Sequence, residues 1–454
     1  MLTSKTIKGN IVLPEKVLFN AYLTVKDGKI ISISEEKPSE FELVDMTGQY
    51  IFPGVIDAHV HCFSSLDEGF TNATCSAAAG GVTTIVEMPY DADKLICTQR
   101  LFEEKKERLK QEAVVDVAML ATIAPHDGLD QIALLADSGA CGFKISLFNT
   151  DSVRFPKVDE GELYEAFKEV RKTGRPVTVH AETDAIVRKF IQKYENEGLN
   201  NPIAHCQSRP KVAESTAALT ILELAHATDT KVHLHHSTFP RVFNLVEAYQ
   251  QEGTDATAET CTHYLVLNEN DMERLKAKGK INPPLRSEAD MHALWDLLAS
   301  GKIDMVTSDH APWPIHLKSD ANIFKNSSGA PGVEVLFPIL FSEGVAKGRI
   351  SILQLAKVLA ENPANRFGLG HRKGKLAVGY DADFIIVDPT EVSILDEEKM
   401  HSNAGWSPYN GMEVRGKVKR TYVRGKEVYN GQVVGEKGDG TFIPAVYEKK
   451  VLAE

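Results

Sequence analysis

Apolar and polar side chains alternate in short runs up to about residue 50, the period of a half-buried strand. Thr6-Ile7-Lys8-Gly9-Asn10-Ile11-Val12-Leu13 is one run, Ala21-Tyr22-Leu23-Thr24-Val25 a second and Lys29-Ile30-Ile31-Ser32-Ile33-Ser34 a third. Asp27-Gly28 between the last two predicts a tight hairpin. The C-terminal end has the same texture, in Ala382-Asp383-Phe384-Ile385-Ile386-Val387, in Lys417–Arg424 and in Glu427-Val428-Tyr429. The two ends are therefore expected to build one small β-sandwich, with residues 1–52 as its N-terminal part and 371–454 as its C-terminal part and tail. Two unrelated β-tails are the plainer alternative.

Between the ends, residues 53–370 switch repeatedly from strand-like to helix-like pattern. Eight strands are predicted: Pro53–His61, Val82–Met88, Val114–Ala121, Gly142–Leu147, Pro176–Ala181, Lys231–Ser237, Asp255–Glu259 and Ile303–Ser308. Amphipathic stretches such as Thr98–Glu112, Asp159–Thr173, Lys211–Ala227 and Glu288–Ser300 separate them. Eight such units predict an α/β fold, a (β/α)8 TIM-like barrel. A doubly wound open sheet is the alternative, but no Gly-x-Gly-x-x-Gly follows the first strand. Pro312–Pro331 has no period and reads as a long loop, a candidate pocket lid.

Composition narrows the partners. A chain of 454 residues can bury a large core and leave room for a second, smaller domain. The net charge of −12, from 51 Lys+Arg and 63 Asp+Glu, argues against nucleic acid or an anionic membrane as partner. No apolar run approaches the roughly 20 residues of a membrane span. Cys62, Cys75, Cys97, Cys141, Cys206 and Cys261 show no C-x-x-C spacing, so buried thiols in a reducing compartment are expected rather than disulfides. Met1-Leu2-Thr3-Ser4-Lys5 has no signal pattern, and the expected location is cytoplasmic.

In a (β/α)8 barrel the site lies at the C-terminal ends of the strands. There this chain concentrates polar residues. The first strand ends in His59 and His61, which alternation puts on one side. The fourth carries Lys144, the fifth ends in His180, the sixth in His233-Leu234-His235-His236, and the eighth in Asp309-His310. Any one has a plain explanation as a hydrogen-bonded core histidine or a paired buried lysine; four histidines, a lysine and an aspartate on one rim predict a shared task. Neutral imidazoles and a carboxylate suit Zn²⁺ or another borderline divalent ion, and an open coordination position lowers the pKa of water towards about 7. Asp309 is the natural group to take that proton and return it to a leaving group. His235 is in phase with His233 and is the preferred ligand of the sixth strand, with His236 as alternative. Lys144 has no role in this chemistry as an ammonium, which would repel a metal.

These residues resemble the amidohydrolase superfamily, and within it the cyclic amidohydrolases: hydantoinase, dihydropyrimidinase, allantoinase and dihydroorotase. The resemblance runs through Lys29-Ile30, Pro53–His61, Ala79–Thr84, Gly142-Phe143-Lys144, His180-Ala181-Glu182, Asn282–Arg286, Ser308–Pro312 and Gly379–Asp383. It implies that Lys144 is carboxylated by CO₂ to N6-carboxylysine, whose carbamate bridges two divalent metal ions. Zn²⁺ is expected, with Mn²⁺, Co²⁺, Ni²⁺ or Fe²⁺ also suiting these donors. His59, His61 and Asp309 would bind the more buried ion, His180 and His235 the more exposed one. The resemblance further implies that a bridging hydroxide opens a cyclic amide, that Asp309 shuttles the proton, and that Asn282, Ser328 and Gly329 hold the ring. It also implies a small-molecule cyclic amide or ureide as substrate and a homodimer or homotetramer.

Departures narrow the substrate. Dihydroorotases carry an arginine where this chain has Phe63 and a histidine where it has Trp313, so the cation that would grip a carboxylate is missing. Hydantoinases place a tyrosine where this chain has Asn149. Leu294–Leu298, Gly301–Asp304, Phe155–Asp159, Ser308–Pro314 and Ser407–Gly411 are closest to allantoinase-like members, although Ser64-Ser65-Leu66-Asp67 replaces their Glu-Pro-Gly-Arg. Some relatives lose metal ligands and act as non-catalytic assembly proteins; here every ligand position is filled.

Overall fold

The computed structural model describes residues 4–38 and 41–447. Residues 1–3, 39–40 and 448–454, which include most of the stretch read for a signal and the end of the expected tail, lie outside the described residues.

Strands β1 (Lys5–Val12), β2 (Val17–Lys26) and β3 (Lys29–Ser34) fall on the three alternating runs. The β2–β3 turn has Asp27 at φ 48° and Gly28 at φ 78°, the left-handed pair whose twist matches that of a hairpin. β4 (Glu42–Pro53), not singled out by its pattern, leads into the first of nine short strands. These are β5 (Val55–Val60), β6 (Val82–Glu87), β7 (Asp116–Met119), β8 (Ala121–Thr122), β9 (Phe143–Ser146), β10 (Val177–His180), β11 (Val232–Leu234), β12 (Ala256–Cys261) and β13 (Met305–Thr307). β14 (Phe384–Ile394), β15 (Glu413–Val423) and β16 (Lys426–Tyr429) follow.

Both chain ends enter one seven-stranded mixed sheet, in the order β16-β15-β14-β4-β1-β2-β3. β4 joins them, pairing parallel with β1 and antiparallel with β14, where Phe384 faces Pro53 and Val387 faces Tyr50. The ladder is thus continuous where the sequence suggested a sandwich. Ile7, Leu23, Ile51, Phe384 and Tyr422 pack together in one buried cluster, while Phe52, Ile385, Val387 and Val418 belong to the main core.

The nine short strands form two parallel sheets, β5-β6-β7 and β8-β9-β10-β11-β12-β13. The strand expected over Val114–Ala121 is broken at Leu120, so that β7 pairs with β6 and β8 with β9. Hydrogen bonds cross both seams: Cys141 N–H, ahead of β9, donates to Met119 O on β7 at 2.9 Å, and His61 N–H to His310 O at 2.8 Å. Helices cover the expected amphipathic stretches at Gln99–Glu112, Glu160–Thr173, Lys211–Thr228 and Glu288–Ala299. In Glu160–Thr173 the buried set Leu163, Ala166, Phe167 and Val170 follows the i, i+3, i+4, i+7 spacing of a core-facing stripe. Each large apolar side chain so buried contributes roughly 1.5–3 kcal/mol. No helix among the described residues is long and apolar enough to cross a membrane.

Candidate metal centre

β5 delivers His59, and His61 follows one residue beyond its end. β9 carries Lys144, β10 ends in His180, β11 is followed by His235 and His236, and Asp309 lies two residues past β13. Strand ends converge because parallel neighbours share a register: Lys144 pairs with Thr178, and Thr178 with His233.

Within this group His59 Nε2 lies 3.2 Å from Asp309 Oδ1, and His61 Nε2 lies 3.6 Å from the same oxygen. Lys144 Nζ is 2.8 Å from His59 Nε2. His180 Nδ1 is 2.8 Å from His236 Nε2, and its Nε2 is 2.9 Å from Glu182 Oε2. His235, the residue expected beside His180, turns the other way, with Nδ1 3.1 Å from Glu259 Oε1. The reason is local. β11 ends at Leu234, so strand alternation no longer governs the next two residues, and His236 adopts φ 38°, which swings its ring towards His180. Asp309 is left-handed too, at φ 46°. His310 serves as a tie: its Nδ1 accepts from Gly332 N–H at 3.1 Å and its Nε2 faces Glu68 Oε1 at 3.3 Å.

Burial, reinforced by nearby Lys144 and imidazoles, holds His59, His61, His235 and His236 well below the ordinary histidine range. His180 is lowered as well, again by burial, with Glu182 opposing. All five are therefore neutral near pH 7, the form that offers a lone pair. Burial lowers Lys144 and raises Asp309. It also pushes Glu259 up to about 8. For Glu182, burial is outweighed by the Arg209 guanidinium and His180, which bring it down to about 2.

The donor set fits a divalent cation. Ligands at about 2.0–2.1 Å from a tetrahedral ion stand about 3.4 Å apart, close to the spacings at Asp309 Oδ1. Burial that raises Asp309 and Glu259 is what a dication would reverse.

A cavity of about 420 Å³ opens over these residues. Lys144, His61, His180, His236 and Asp309 line its floor side, while His59 and His235 do not line it. Asn282, Ser328 and Gly329 are on its wall, with Tyr90, Phe148, Phe155, Trp313 and Phe324 supplying aromatic surface. With its amide oriented to suit its neighbours, Asn282 donates to Ile281 O at 3.3 Å and accepts from Arg209 Nη2 at 3.2 Å. Gly329 has φ 127°, and a Cβ there would come within 2.6 Å of Ala311 Cβ.

Sequence reasoning missed several participants. Arg209 reaches the cavity while paired with Glu182, and its guanidinium lies 4.6 Å from the centre of the Phe148 ring. Arg154 also lines the cavity and donates to Tyr90 Oη at 3.1 Å. Lys318, buried within the loop after β13, donates to the carbonyls of Ser327 and Gly329 on the cavity wall. In sequence Glu259 reads only as a strand end, and no local signal marks it.

The chain belongs to the amidohydrolase family, which it matches over residues 50–428. It is 33% identical over 449 residues to an allantoinase of Bacillus licheniformis, covering 96% of this chain and 99% of that one. It is 34% identical over 436 residues to an L-hydantoinase of Paenarthrobacter aurescens, covering 93% and 94% of the two chains. Among solved structures, the L-hydantoinase (dihydropyrimidinase) from Arthrobacter aurescens superimposes with a TM-score of 0.94 at 33% identity, covering 97% of this chain and all of that one.

Proposed function

We propose that this protein hydrolyses a carbon–nitrogen bond in a cyclic amide, opening the ring of allantoin or a related ureide. The observation that carries the reading is the meeting of His59, His61 and Asp309 donor atoms, at 3.2 and 3.6 Å, beneath a cavity of about 420 Å³. Near end-to-end similarity to an allantoinase supports the substrate class.

Two divalent ions are assigned, Zn²⁺ first. His59, His61 and Asp309 would hold one; His180 and His236 would hold the other, His236 replacing His235 because it is the ring against His180. Lys144, 2.8 Å from His59 Nε2, would complete the set as N6-carboxylysine, and burial that lowers its amine favours the neutral form able to take up CO₂. When bound, such ions supply Lewis acidity and a nucleophilic water at neutral pH. The chain's own residues do the rest. Asp309 takes the proton from the attacking water and delivers it to the ring nitrogen as the C–N bond breaks. Asn282, Ser328 and Gly329 present amide, hydroxyl and backbone groups to the ring. Tyr90, Phe148, Phe155 and Trp313 exclude bulk water.

The same reading takes the two parallel sheets, bonded across both seams, as one closed (β/α)8 barrel over residues 53–370. The continuous outer sheet then curls into the expected sandwich from 1–52 and 371–454. Gly28 supports the curl, since a Cβ on it would lie 3.2 Å from Arg424 O in the turn between β15 and β16. We assign a cytoplasmic location, supported by six free cysteines, and a homodimer or homotetramer.

A second reading, hydantoin hydrolysis, is favoured by the aromatic cavity wall and by the L-hydantoinase likeness. Dihydroorotate is disfavoured because Phe63 is buried, packed edge-on against Phe70 at 4.9 Å. The test is a panel of allantoin, substituted hydantoins, dihydrouracil, dihydroorotate and simple lactams, on protein reconstituted with Zn²⁺ and ¹³C-bicarbonate. Fastest turnover of allantoin and a carbamate ¹³C resonance that disappears in Lys144→Ala are expected. No ring opened in the panel would refute the reading.

A further inference from the structure

We infer that Glu259 is the positioning residue of the metal centre, fixing the tautomer that makes His59 a ligand; this deepens the metal reading above and rests on it. Glu259 lies on β12 with its side chain wholly buried. Its Oε1 is 2.6 Å from His59 Nδ1, 3.1 Å from His235 Nδ1 and 3.3 Å from the His236 backbone nitrogen. Its Oε2 is 3.0 Å from His233 Nε2, whose own Nδ1 is 2.8 Å from Thr257 Oγ1. One carboxylate therefore faces three imidazoles and a backbone N–H.

With the cations of the reading above opposing its burial, Glu259 is a carboxylate; it then has only lone pairs to offer, so each ring nitrogen facing it must donate. A neutral imidazole carries one N–H. With the proton of His59 committed to Nδ1, its Nε2 is left as a lone pair. That nitrogen is the one 3.2 Å from Asp309 Oδ1 and 2.8 Å from Lys144 Nζ. Carboxylate contact with the far nitrogen of a ligating histidine orients the ring and raises its basicity, and losing it typically weakens metal binding about 10–100-fold. His233, fully buried and clamped by Thr257, holds the second oxygen so that the carboxylate cannot rotate away.

His59, His235 and Glu259 also lie close enough to form a ligand set of their own. Tautomer arithmetic argues against an ion there. It would need both Nδ1 atoms as lone pairs, which puts the proton of His59 on Nε2 and removes it from the set with His61 and Asp309.

The experiment compares the full-length protein with Glu259→Gln and Glu259→Met, reading Zn²⁺ stoichiometry and affinity by chelator competition. Glu259→Met, similar in volume but without an acceptor, loses about 10–100-fold in affinity. Glu259→Gln keeps an oxygen for His59 Nδ1–H and recovers much of that loss. ¹⁵N NMR of the histidine-labelled native protein, which needs no variant to fold, shows the His59 proton on Nδ1. Native affinity in Glu259→Met, equal losses in both variants, or a proton on His59 Nε2 would each overturn the inference. If the native protein itself takes up no Zn²⁺, the metal reading fails first, and the two failures are told apart.

Discussion

His236 and Asp309 both hold positive φ, at 38° and 46°, a region that costs a side-chain-bearing residue of order 1–3 kcal/mol. Both follow the C-terminal end of a parallel strand and both line the cavity, so the backbone spends stability to aim an imidazole and a carboxylate. In the proposed function Asp309 has the proton-transfer role, and its removal tests that directly. Asp309→Asn should keep far-ultraviolet dichroism unchanged while kcat for ring opening falls about 10²–10⁴-fold, the usual size of a general acid–base contribution. A fall under threefold would remove Asp309 from the chemistry. His59, His61, Lys144 and Asp309 were legible because strand alternation and strand ends fix them. His236 was legible only as the alternative to His235, since β11 stops at Leu234 and its left-handed turn leaves no trace in the order of residue types. Glu259 was equally hidden, because a wholly buried carboxylate is explained by its partners on other strands, not by its neighbours in sequence.

The loop after β13 is held as an element rather than hanging free. It contains short turns at Ile315–Lys318 and Ile323–Lys325, and the pattern predicting a lid gave no hint of what latches it. Lys318 Nζ donates to Lys280 O at 2.8 Å, Ser327 O at 3.0 Å and Gly329 O at 2.9 Å, with its ammonium 5.4 Å from the centre of the Trp406 ring. Burial, with Lys280 nearby, holds its pKa well below the ordinary lysine range. Ser327 and Gly329 line the cavity, so this buried amine ties the wall to the loop's root. Lys280 O keeps the Gly329 N–H at 2.9 Å, but Lys318→Met takes their lysine donor from Ser327 O and Gly329 O, at about 1–3 kcal/mol for each that stays buried and unpaired. The expected outcome is a raised KM with kcat nearly kept, and faster proteolysis within 312–331. An unchanged KM would mean the latch does not shape the cavity. The strands themselves were easier to read. Their apolar runs located all eight units, though hydrogen bonding trimmed several to three or four residues and split one at Leu120.

At the scale of the whole molecule, outer sheet and parallel strands are joined by a buried ion cluster that no local pattern announces. Lys373 Nζ lies 2.5 Å from both Asp116 on β7 and Asp383, and 3.1 Å from Asp381. Lys29 and Arg372 each reach Asp381 at 2.7 Å, and Arg424 pairs with Asp116. The three carboxylates are close enough to suggest a cation site, but the lysine ammonium already sits among them. For Asp381, burial raises the carboxyl and the surrounding cations outweigh it, so its folded pKa lies below the ordinary 3.8. An unfolded aspartate then binds protons more readily than the folded one as the pH falls. This part of the stability is complete above pH 3.8 and is lost as the pH falls through the lowered folded value. Lys373→Met strands buried carboxylates and should cost about 3–5 kcal/mol at pH 7. Because the same carboxylates take up protons in acid, the gap between variant and native urea midpoints should narrow from pH 7 to pH 3. A gap that stays constant over that range would show that Lys373 acts through packing alone, and that charge does not hold the sheet to the strands.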